Sequence, residues 1–118
     1  MSQTAMDAAA FTEMKELMGD TFKDIIAMCL QSLPEQLSEI ETAINGQDAD
    51  ILFNLAHKMK SSCGSIGAFG LAEKAEAIEL ISRNGSTEIP DQIFNELQDA
   101  MHQVVFILET ELSAKRPS

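Results

Sequence analysis

The sequence predicts an all-α fold: an antiparallel up-down four-helix bundle with a short additional helix at its N-terminal end. Three observations carry this expectation. Apolar residues recur at spacings of three and four along almost the whole chain of 118 residues. The stretches between the periodic segments are short and carry Gly, Asn, Asp and Pro. Four of the apolar stripes are long enough that each can bury one face against the other three.

The first helix is expected over 7–18, stopped by Gly19. The second, over 21–45, follows Asp20 as its N-cap and carries the stripe Phe22, Ile25, Ile26, Cys29, Leu33, Leu37, Ile40 and Ile44. Pro34 lies inside this stripe and removes one backbone hydrogen bond. The stripe continues across it, so the reading is a kinked helix and not two helices. Asn45-Gly46 closes the helix as a C-terminal cap. The third helix, over 48–65, opens on Asp48 and turns Leu52, Leu55, Ala56, Met59 and Cys63 inward. The fourth, over 69–84, places Leu71, Ala75, Ile78, Ile81 and Ser82 on its core face and stops at Asn84-Gly85. The fifth, over 91–113, starts at Pro90-Asp91 and buries Ile93, Leu97, Ala100, Met101, Val104 and Leu108. The run Val104-Val105-Phe106-Ile107 has strand-like composition, but its flanks keep the helical period. All of this fits one domain over 1–118.

Composition narrows the function classes. Nineteen Asp and Glu against eight Lys and Arg give a formal charge of −11, which argues against nucleic acid and against an anionic membrane surface as partners. No apolar run approaches the length of about 20 residues needed to span a bilayer, and the polar, acidic start does not resemble a signal peptide. A cytoplasmic location is the expectation. Cys29 and Cys63 both fall on apolar helical faces without a CxxC partner. They read as free thiols of a reducing compartment, not as a disulfide, a zinc site or a redox site.

The third helix carries the candidate site. At about 100° per residue, His57 lies roughly 140° from the centre of the apolar face, and so in solvent. Its stripe, three, four and seven residues away, holds Asp50, Phe53, Lys60, Ser61 and Gly64. No acid occurs in the chain between Asp50 and Glu73, whereas Lys58 and Lys60 do. The region thus reads as an acid-free, weakly cationic window on an acidic protein, suited to an anionic group. Lys60 reads either as a solvated lysine or as a cation serving the histidine. Phe53 reads equally as edge packing or as an apolar contact for a partner. The second histidine, His102, has neither lysine nor small residue beside it, and a local contact with Asp99 is its expected role.

The string Leu55-Ala56-His57-Lys58-Met59-Lys60-Ser61-Ser62, followed by Gly67-Ala68 and Leu71, resembles the histidine-containing phosphotransfer domain family. That family's pattern reads A-H-x-L-K-G-S-x, then G-A and a leucine. His57 falls on its phosphorylated histidine, Lys60 on its lysine and Gly67 on its later glycine. Met59 stands in for the usual Leu with similar volume. Ser61 stands where the family usually has Gly, whose lack of a side chain lets a partner approach closely. Over the rest of the chain the resemblance is one of pattern: the helix order, Leu33-Pro34, the turn Asn45-Gly46-Gln47-Asp48 and the stop at Asn84-Gly85.

The resemblance implies a phosphorelay intermediate. His57 would accept a phosphoryl group from the aspartyl-phosphate of a receiver domain and pass it to another receiver. Lys60 would give electrostatic assistance, and Phe53, Ser61 and Gly64 would form the docking surface. The partners implied are receiver domains of response regulators or hybrid sensor histidine kinases. Such a protein is a carrier, not an enzyme. The sequence agrees, with no phosphate-binding Gly-rich loop, no carboxylate cluster for Mg²⁺ and no visible acid-base partner for His57. No cofactor of its own is expected, the Mg²⁺ belonging to the receiver. Two other classes remain beside this one. An acidic helical adaptor would bind a partner without chemistry. A metal-binding bundle would need paired Glu-x-x-His motifs, for which Asp99-Ala-Met-His102 is the nearest and solitary candidate.

Overall fold

The computed structural model describes residues 5–113, and within them the chain forms five helices and no strand. They are α1 (Ala8–Met18), α2 (Thr21–Asn45), α3 (Ala49–Gly64), α4 (Phe69–Arg83) and α5 (Asp91–Ser113). Two starts are set by aspartate caps. Asp7 accepts from the backbone N–H of Ala10 at 3.0 Å, and Asp48 accepts from that of Ile51 at 3.1 Å. Each satisfies one of the donors that a helix start leaves unpaired.

Two local expectations are corrected. Asp20 holds the N-cap position of α2, but its backbone is already helical and its side chain makes no capping bond. Instead Gly19, at φ 55°, turns the chain, and its carbonyl accepts from the N–H of Phe22. At the other end of α2, Gly46 is right-handed and Gln47 takes the left-handed position, at φ 58°. The N–H of Gln47 donates to Ile44 and that of Asp48 to Ala43, the paired bonds of a Schellman ending displaced one residue from the glycine. Pro34 lies within an uninterrupted α2, as the continuous stripe requires.

Packing follows the stripes. α2 meets α3, α3 meets α4, α4 meets α5, and α5 returns to α2, so the four long helices close a ring. Phe22, Ile26, Leu33 and Ile40 of α2 are buried against Leu52, Ala56, Met59 and Cys63 of α3 and Leu71, Ala75 and Ile78 of α4. α5 completes the core with Leu97, Met101, Val104 and Leu108, and Val104–Ile107 is helical. Ile25, Cys29, Leu37, Ile44, Leu55, Ile81 and Ile93 lie at the edges, half-buried. Each fully buried aliphatic chain contributes about 2 kcal/mol, whereas an exposed ion pair contributes at most about 1 kcal/mol, so this core dominates stability. Burial pushes the Cys63 thiol up to about 12, which leaves it protonated and inert.

α1 covers the end of the bundle where α2 and α4 begin and α3 and α5 finish. Phe11 packs edge-on against Phe22 with ring centroids 5.1 Å apart, and Lys15 pairs with Glu111 at 2.6 Å. The turn between α3 and α4 is held by two backbone bonds, Asp7 N–H to Gly67 and Leu71 N–H to Ala5. Gly67 is required there for two reasons. Its φ is +82°, and a Cβ would stand 3.1 Å from Ala10 Cβ and 3.2 Å from the Phe11 nitrogen. The register of α4 against α3, on which the site depends, is thereby set at this end.

Candidate functional site

His57 lies midway along α3 on its outer face, with 57% of its side chain exposed. Phe53, one turn earlier, is half-buried and stacks on the imidazole, with centroids 6.1 Å apart and planes 14° from parallel. Lys60, one turn later, is half-buried; Ser61 is exposed. Gly64, at the end of the stripe, faces open space, since nothing lies within 4 Å of where a Cβ would be. The structure thus brings together, along one strip of α3, the residues singled out from helical spacing.

The acid-free reading of this surface is overturned. α4 packs beside α3 and supplies the carboxylate of Glu79, which is buried with 2% of its side chain exposed. One of its oxygens, Oε2, lies 2.9 Å from His57 Nδ1; the other, Oε1, lies 2.8 Å from Lys60 Nζ. Glu76, one turn earlier on α4, lies 3.5 Å from Lys60, and Arg83, one turn later, lies 3.6 Å from Glu79 Oε2. The gap in acidic residues exists along the chain and not in space. His57 therefore has a partner after all. The signal for it was present in the sequence: Glu79 falls on the stripe of Leu71, Ala75, Ile78 and Ser82, where a carboxylate must be buried and must find a cation.

The electrostatics are consistent with one ionised carboxylate shared among cations. The Lys60 ammonium bonded to Glu79, together with the His57 bond, holds its carboxyl below the ordinary carboxylate range against the opposing effect of burial. The same contact with Glu79 raises the Lys60 ammonium above its ordinary value. An ionised carboxylate only accepts hydrogen bonds, so Nδ1 of His57 carries the proton and donates it to Glu79. In neutral imidazole the lone pair then resides on Nε2. The ring is also oriented in two directions, in its plane by Glu79 and across its face by Phe53.

His102, on the outer face of α5, is exposed, and the expected contact with Asp99 does not form. Among the described residues no group of His, Cys, Asp and Glu could hold a metal ion. No described helix is long and apolar enough to cross a membrane.

Comparison with known proteins agrees with this geometry. Over 69 residues the chain is 32% identical to the signal transduction histidine-protein kinase BarA of Shigella flexneri and of Escherichia coli. That segment is 58% of this chain but only 8% of the kinase, so the likeness concerns one small part of a much longer protein. The crystal structure of histidine-containing phosphotransfer protein B from Pseudomonas aeruginosa superposes with a TM-score of 0.88 at 21% identity, covering 98% of this chain and 100% of that one. The HPT domain of a sensor hybrid histidine kinase from Shewanella superposes with a TM-score of 0.75 at 19% identity, covering 94% and 98%. At such identities these two matches establish the shared helical fold. The Hpt domain model matches residues 24–105, from α2 through most of α5 and including the whole histidine strip. The chain belongs to the Hpt domain family.

Proposed function

We propose that this protein is a phosphorelay carrier that receives a phosphoryl group on Nε2 of His57. The donor is the aspartyl-phosphate of a receiver domain, and the group is handed to the aspartate of another receiver. The observation that carries this reading is the exposed imidazole whose Nδ1 lies 2.9 Å from a buried carboxylate. In the transfer, the Nε2 lone pair forms an N–P bond as the acyl-phosphate O–P bond breaks, and the electron pair leaves with the receiver's aspartate. Positive charge grows on the ring during attack, and Glu79 is placed to stabilise it through Nδ1–H, much as a buried aspartate serves other histidines. Lys60 lies one turn away and offsets the charge of the arriving phosphoryl oxygens. Because Glu79 already engages it, its contribution is that of a shared cation.

Phosphoryl transfer is largely positioning and charge neutralisation. This chain contributes a nucleophile, its orientation and a flank of cations; the receiver would bring the Mg²⁺. Docking would use Phe53 as the apolar contact and Ser61 and Gly64 as the low ground that lets a second protein approach. Receivers of response regulators or hybrid sensor kinases are the partner class, and the cytoplasm is the compartment in which they would be met. The test is incubation with phosphorylated receivers. Acid-labile, base-stable label on the wild-type protein and none on His57→Gln supports the reading. A protein that binds receivers without taking label is an adaptor instead.

A further inference from the structure

Two cations flank the imidazole, and they are not equally available. Lys60 is committed to Glu79 at 2.8 Å and to Glu76 at 3.5 Å. Arg83 has a single ion pair among the described residues, to Glu79 Oε2 at 3.6 Å, longer than a hydrogen bond. Its side chain is 58% exposed. Its guanidinium carbon lies 5.8 Å from the centroid of the Phe53 ring, the ring that stacks on His57. Arg83 therefore stands on the Phe53 side of the imidazole, against the same carboxylate oxygen that holds Nδ1, with its hydrogen-bonding capacity largely unspent. Asp50, Phe53, Asn54, Ser82 and Arg83 line an open groove between α3 and α4, which gives the side chain room to move.

We infer that Arg83 is a second phosphoryl-binding group. When His57 carries phosphate, the guanidinium leaves its loose contacts with Phe53 and Glu79 and donates to the phosphoryl oxygens from the side opposite Lys60. The chemistry favours the exchange. A phosphoryl group brings between one and two negative charges and three strong acceptor oxygens, and the planar guanidinium fork matches two of them at once. The contacts given up are weak ones: a cation over a half-buried ring and an ion pair without a hydrogen bond. The charged groups around the phosphoryl are then Lys60 and Arg83 on its two sides, with buried Glu79 behind the ring, half-exposed Glu76 beside Lys60 and Asp50 at the groove. Arg83 would thus prolong the life of the phosphorylated protein between donor and acceptor.

This rests on His57 being the phosphorylated residue, and its test separates the two. The wild-type full chain and its Arg83→Gln and Arg83→Lys variants are phosphorylated with phosphoramidate, a small donor that needs no receiver. Each product is followed by phosphorus NMR, for its decay and for the pH titration of the phosphoryl group. With Arg83→Gln the phosphohistidine is expected to decay about fivefold faster, and its phosphoryl group to take up its proton at higher pH. Arg83→Lys is expected to restore part of both, and the unphosphorylated variants to melt close to wild type. Arg83→Gln with wild-type lifetime and titration overturns the inference while leaving His57 as the carrier. No phosphohistidine in the wild-type protein overturns both.

Discussion

The chain has two histidines in exposed positions midway along long helices, and they could hardly differ more. His57 on α3 is oriented by a buried carboxylate, stacked on an aromatic ring and flanked by Lys60 and Arg83. His102 on α5 is exposed and has no partner among the described residues. Neither exposure nor position on a helix separates them. What does is the neighbouring helix: α4 turns Glu79 toward His57, whereas no described residue pairs with the exposed His102. A nucleophile has to be reachable and also held, and only the first of these properties belongs to the residue alone.

The comparison is broken most directly at the two histidines. His57→Gln should abolish labelling by a phosphorylated receiver, and His102→Gln should leave it unchanged. Both variants should melt near wild type, because exposed side chains contribute little. Labelling lost in the His102 variant instead would reverse the roles assigned to the two helices.

The next largest effect is steric. Ser61→Leu places a bulky side chain beside the imidazole on the exposed face, and should block transfer from receivers while the bundle still folds. Ser61→Gly should transfer at the wild-type rate or slightly faster, and lose several tenths of a kcal/mol of helix stability, about 0.5 kcal/mol. Wild-type transfer by Ser61→Leu would move the docking face away from this strip.

A smaller effect is expected at the shared cation. Lys60→Ala should slow transfer about tenfold, equivalent to roughly 1.4 kcal/mol of barrier. Single-turnover kinetics with one receiver would measure it, and an unchanged rate in both directions would leave Lys60 a structural partner of Glu79 only.

The smallest effect is on stability, and its sign follows from the carboxylate. The Glu79 carboxyl titrates below its ordinary value of 4.5 in the folded protein, chiefly because of Lys60. Its contribution is therefore present above the unfolded value and is lost as pH falls through the folded one. Melting temperatures of wild type and Glu79→Gln should differ by a few degrees at neutral pH and converge below pH 4.5. A difference that grows on acidification would mean that the carboxylate destabilises the fold.

Much of this protein was legible in one dimension. Helical period located all five helices, and the aspartate cap Asp48 located the start of α3, because caps and amphipathic faces depend on neighbours only a few positions apart. The same periodicity put His57 on the outer face of α3 together with Phe53, Lys60, Ser61 and Gly64. Chain termini of α2 were read less well. Gly46 was the natural left-handed residue, yet the Schellman bonds of Gln47 and Asp48 set the ending one position later, and Asp20 was drawn into helical geometry by the turn at Gly19.

The character of the site was decided by tertiary structure. His57 and Glu79 are 22 residues apart, and whether they meet depends on the register of α4 against α3. That register is set around the tight turn at Gly67, which the chain entering α1 pins by hydrogen bonds to Gly67 and Leu71. The acid-free stretch between Asp50 and Glu73 described the chain truly and the surface wrongly. Coulombic interactions act through space, and a helix packed alongside contributes its charges whatever their distance along the sequence.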